Sequence, residues 1–134
     1  MRRPDWPQRL TAVLVASRRR GFAYGHHDCC THAADCVEAV TGVDVAAEWR
    51  GHYGEPVVGL AIAGIRRVGQ LPGRYFAEVP VAMAQRGDIA IARVGRSRRG
   101  RLTSMLMVVD GVWLRGPAGA IAPRSAAYRT WRVE

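Results

Sequence analysis

With 134 residues and a hydrophobic content of 49%, the chain can bury one ordinary core and is too short for two, so a single domain over 1–134 is expected. Its three cysteines are odd in number and two are adjacent, which argues against a disulfide framework and suits synthesis in a reducing compartment. The formal net charge is +9, no apolar run is long enough to span a membrane, and Leu10–Ala16 is too short and too closely followed by Arg18-Arg19-Arg20 to be a secretory segment.

In chain order, Asp5-Trp6-Pro7 opens a first helix, with Asp5 as cap and Leu10, Val13, Leu14 and Ser17 on one face to about Arg19. The aromatic turn Phe22–Gly25 leads to Asp28, a helix cap, and an alanine-rich second helix that stops at Gly42. A loop carries Trp49–Gly54, and Glu55-Pro56 starts a third helix through Leu60, Ile62, Ile65 and Val68, in which Gly59 and Gly64 suit close packing more than helix stability. From Gly87 the pattern turns to strands at 88–93, 103–109, 112–115 and 128–133, with Asp110-Gly111 as a two-residue hairpin turn. Helices first and strands second predict an α+β fold, N-terminal helices packed on an antiparallel sheet. The stretch 95–100 is the one segment expected to be mobile.

All cysteines and three of the four histidines fall between Phe22 and Gly42. Cys29 sits at the start of the second helix, where unpaired N–H groups and the helix dipole favour a thiolate, the form that attacks carbonyl carbon. His26 and His27 adjoin it and His32 lies about one turn on, so an imidazole partner is within reach by sequence. The simpler reading has His26 and His27 bonding the turn, and Cys36 as a small buried apolar residue. The set His26, Cys29, Cys30, His32 and Cys36 also offers soft metal ligands, but a structural zinc site pairs two separated ligand couples and no second couple follows.

The order Tyr24-Gly25, Asp28-Cys29 and a helix closing at Thr41-Gly42 resembles the nucleophile block of the NlpC-type cell-wall cysteine peptidases. It is most similar to a branch encoded among the tail-assembly genes of phages and gene transfer agents. A tryptophan-bearing first helix, Arg50-Gly51-x-Tyr53, Gln85-Arg86-Gly87-Asp88 opening a strand, and Trp131-Arg132-Val133 closing one extend the likeness over almost the whole chain. The resemblance implies a papain-like NlpC-type core with Cys29 in the nucleophile position.

It also exposes a departure. The family places its catalytic histidine at the start of the strand after the Gly-Asp strand, and that pattern laid on 105–111 puts Met105 there. No histidine follows His52. A cysteine nucleophile needs an imidazole to take its proton and return it to the leaving group. The candidate bases are therefore His26, His27 and His52, and the expected pocket residues are Tyr24, Asp28, Ser104 and Met105.

Three functions follow. The first is a phage tail-tip or hub assembly protein with a degenerate peptidase fold, made in the bacterial cytoplasm, carried in the virion tail, and contacting hub and tip proteins through arginine clusters and tryptophans. The second is a cysteine peptidoglycan endopeptidase that helps the tail cross the cell wall, and the third is a metal-stabilised binding module. All 20 basic residues are arginine, and clusters such as 96–101 suit acidic polymers or proteins. Nucleic acid is disfavoured as a partner, because no aromatic residues interleave with the basic ones.

Overall fold

A computed structural model describes residues 1–134. Three helices come first: α1 (Trp6–Ser17), α2 (Cys29–Thr41) and α3 (Pro56–Ala63). Six strands follow: β1 (Glu78–Val79), β2 (Ile89–Arg96), β3 (Leu102–Asp110), β4 (Trp113–Arg115), β5 (Ile121–Pro123) and β6 (Ala127–Trp131). They form one antiparallel sheet in the order β1-β6-β2-β3-β4-β5. The expected α+β class and helix-then-strand order are what the chain adopts. No helix is long and apolar enough to cross a membrane.

Strand alternation divides the interior in two. Ile89 and Ile91 of β2, Leu106 and Val108 of β3, and Trp131 of β6 meet Leu10, Leu14, Cys36, Val37 and Val40 of the helices in the larger cluster. Ala90, Ala92, Met107, Val109, Leu114 and Ala122 form the smaller one on the opposite face. Each large side chain so buried contributes about 1.5–3 kcal/mol of transfer free energy. The far face is built largely of alanines, so the helix side carries most of that drive.

Local chemistry fixes the ends of α2. The Asp28 carboxylate accepts from the Cys30 and Thr31 N–H groups, both at 2.9 Å, while the Thr31 hydroxyl accepts from the Asp28 N–H at 2.8 Å. This reciprocal capping box starts the helix at Cys29, and Gly42, left-handed at φ 84°, ends it. At α1 the expected cap fails: Asp5 makes no cap bond and is drawn to Arg9 and Arg3 instead.

Elsewhere the boundaries move for physical reasons. The third helix stops at Ala63, not Val68, because Gly64 turns left-handed and Ile65 leaves the helical path. The β3–β4 turn residues are Gly111 and Val112, since Asp110 already pairs with Trp113. The short strands β1 and β5 have no sequence signal of their own, two and three residues being too few for alternation to register. In the 95–100 region, Ser97 N–H donates to the Arg101 carbonyl and Gly100 N–H to that of Ser97, closing the β2–β3 hairpin.

The chain ends are tied together at the start of β2. Asp88 is fully buried and accepts from Arg2 at 2.7 Å, Arg132 at 3.0 Å, and the N–H groups of Gln85 and Val133.

Candidate functional site

Cys29 and Cys30 open α2 beneath a small apolar cavity of about 90 Å3, walled by Tyr24, Trp49, Tyr53, Leu60, Val68 and Leu71 among others. Two glycines let the covering elements come this close. A Cβ on Gly25 would fall 2.0 Å from the Tyr53 carbonyl oxygen, and Gly25 is itself left-handed at φ 83°. A Cβ on Gly59 would lie 2.9 Å from the Tyr53 ring, so the bare side of α3 rests flush on that ring.

Asp28 organises the site. Besides the helix N–H groups it accepts from the Gly25 N–H at 2.8 Å and the Tyr53 hydroxyl at 2.5 Å. Burial and the Asp28 carboxylate push the Tyr53 hydroxyl well above its usual range, which keeps it protonated and donating. Arg50, bonded to both Asp35 of α2 and Asp44, holds the loop that carries Tyr53 against the helix. Asp28 is thus cap and anchor together, with its acceptor capacity taken up by neutral donors.

The thiols are an unequal pair. The neighbouring Cys30 thiol and the Leu106 backbone together bring Cys29 below the ordinary thiol range. Cys30 is pushed well above that range by the Cys29 thiol beside it and by burial. Burial pushes the Cys36 thiol up as well, so it is inert packing material. All three cysteines are free thiols.

None of the four histidines lines the cavity. His26 and His52 are exposed. His27 is buried in the seam with α1, where its Nε2 meets Ser17 Oγ at 2.9 Å and accepts from the Ala118 N–H at 3.3 Å, while its Nδ1 is buried without a partner. His32 lies edge-on to it at 5.8 Å, and its Nδ1 is likewise unpartnered. Burial lowers both imidazoles, His32 to about 4, so at neutral pH they are uncharged packing groups. The structure also gathers no three His, Cys, Asp or Glu side chains as a metal site needs.

Of the four expected pocket residues, Tyr24 and Asp28 line the cavity and Ser104 and Met105 do not. Met105 pairs with Ala92, and both belong to the far-face cluster, so its side chain points away from α2. Leu106, the next residue of β3, faces the helix layer. Successive strand residues face opposite sides of the sheet, which is why Met105 turns from the cavity while its neighbour faces the helices. Ser104 shares the helix-side face but lies farther along, with its hydroxyl 2.8 Å from that of Tyr128.

The sequence gives no sign of Tyr53 as the partner of Asp28, or of Cys30 as the thiol that bears on Cys29. Arg50-Gly51-x-Tyr53 was visible as a motif, but nothing local revealed what its tyrosine would reach across 25 residues.

No curated protein and no solved structure shows a significant match to the chain. The model of a family described as a domain of unknown function, DUF6950, matches residues 1–133, and the chain therefore belongs to the DUF6950 family.

Proposed function

We propose that the protein is a phage tail-tip or hub assembly component with a papain-like, NlpC-type fold whose active-site pocket is retained without a working base. The observation that carries this reading is the Cys29 pocket: a capped helix start, an Asp-Cys pair and a facing strand are in place, yet no imidazole lines the cavity. Cys29 is held below the ordinary thiol range, which favours its thiolate, but no imidazole lines the cavity to return a proton to a leaving amine. Trp49, Tyr53 and α3 cover the thiols, leaving far less room than a wall peptide needs. The tail assignment follows from the order and spacing of motifs shared with the tail-assembly branch, and the protein would contact hub and tip proteins there. Its test is fractionation of particles from the producing host. The protein is expected to sediment with purified tails, and its recovery only as free monomer, with none in the particles, counts against the assignment.

One observation favours the second reading, a cysteine endopeptidase acting on peptidoglycan: the Cys29 thiol is lowered, as a nucleophile's would be. That reading expects new muropeptides from purified cell wall, lost in Cys29→Ala. The degenerate-pocket reading expects none from either protein.

A further inference from the structure

A second cavity, of about 880 Å3, opens on the helix side of the sheet between the Arg66–Gln70 turn and strands β2, β3 and β6. Arg66, Arg67, Arg93 and Arg129 surround it, and no aspartate or glutamate lines it. Arg129 has an acid of its own, donating from Nε and Nη2 to the two Glu78 oxygens at 2.9 and 2.8 Å. Arg66, Arg67 and Arg93 take part in none of the ion pairs of the molecule.

The floor is shaped by a bulge. Ile91 pairs with Arg129 and Ala92 with Ala127, so Tyr128 is the extra residue of β6, re-aimed onto the cleft side. Its ring lies under the Arg93 guanidinium at 5.0 Å and its hydroxyl bonds Ser104. At the rim, Leu102 and Thr103 continue directly from the hairpin that carries Arg98, Arg99 and Arg101, also without carboxylate partners. Unbalanced positive charge is therefore concentrated around one open cleft of hydrogen-bond donors.

We infer that this cleft docks an acidic polypeptide segment of a partner protein, with aspartate or glutamate carboxylates held by Arg66, Arg67 and Arg93 as Glu78 is held by Arg129. The Arg129–Glu78 fork shows the bidentate geometry that a guest carboxylate would take. The cavity is much larger than a single carboxylate, and its arginines stand on both the turn and the sheet, which suits an extended chain. Single-stranded nucleic acid fits less well, because it binds on successive aromatic platforms and Tyr128 is the one aromatic ring here, with a face already under Arg93. The inference stands on the cleft alone, whatever the role of Cys29.

The test is fluorescence anisotropy at low ionic strength with a labelled oligoglutamate peptide, set beside an oligothymidylate of equal charge. The wild type is compared with Arg66→Gln/Arg93→Gln and with Arg18→Gln/Arg19→Gln, which removes the same charge from residues that do not line the cleft. All four positions are exposed, and thermal melts verify that both variants fold. The cleft variant is expected to bind the peptide about tenfold more weakly, the scale for losing charge-assisted contacts, with the control variant within about twofold of wild type. Equal weakening in both variants, no peptide binding, or tighter binding of the oligothymidylate through the same arginines would overturn the inference.

Discussion

Asp28 and Asp88 are both buried carboxylates, yet their surroundings satisfy them in opposite ways. Asp88 is held by two guanidinium groups from opposite ends of the chain, Arg2 and Arg132. Asp28 has no cation and is held by three backbone N–H groups and the Tyr53 hydroxyl. The first arrangement locks termini to a strand. The second orders a helix start and a covering loop around Cys29, with the positive end of α2 in place of a counter-ion. An ion-paired aspartate marks the scaffold here, and a neutrally bonded one marks the candidate site.

The largest expected effect comes from breaking the first arrangement. Asp88→Asn leaves Arg2 and Arg132 without their acid and is expected to cost about 3–5 kcal/mol, read from urea unfolding at neutral pH. A loss of under about 1 kcal/mol would mean that this clamp is not structural.

A third buried polar group sharpens the contrast. In the unfolded chain His32 takes up a proton near its ordinary value of 6.5, while the folded one resists protonation down to about 4. Stability is therefore full above the unfolded value and falls as pH drops from about 6.5 towards 4, by about 3 kcal/mol from this residue. Urea unfolding at several pH values in that window, in wild type and His32→Gln, reads the difference. Equal slopes in the two proteins would contradict it.

The smallest effect belongs to the second arrangement. Tyr53→Phe removes one donor from Asp28 and is expected to cost about 1 kcal/mol. Because the covering loop loses its anchor, Cys29 and Cys30 should also label faster with a small alkylating reagent. Unchanged labelling would mean that Tyr53 does not hold the loop closed.

What was legible in the sequence follows the same division. The α2 cap at Asp28, its stop at Gly42, the long strands and the α+β order all rest on local signals: a capping residue, a glycine, an alternating pattern. The failures come from tertiary competition. Asp5 prefers Arg9 to its own helix N–H groups, and β1 is ordered by β6, more than fifty positions away in the chain. At the candidate site, Cys29 and Asp28 were visible because their geometry is local. The faces of Ser104 and Met105, and the reach of Tyr53 to Asp28, depend on strand register and loop closure, which no short motif encodes.

Cys30 and the Leu106 backbone bring Cys29 below the ordinary thiol range, and no histidine lines its pocket. The most direct test is the pH dependence of Cys29 alkylation, followed by mass spectrometry of its peptide, in wild type and in single His26→Gln, His27→Gln and His52→Gln variants. The profile is expected to begin rising below the ordinary thiol value and to stay within about twofold of wild type in all three variants. Loss of the low-pH reactivity in any one of them would identify that histidine as the base and contradict the account.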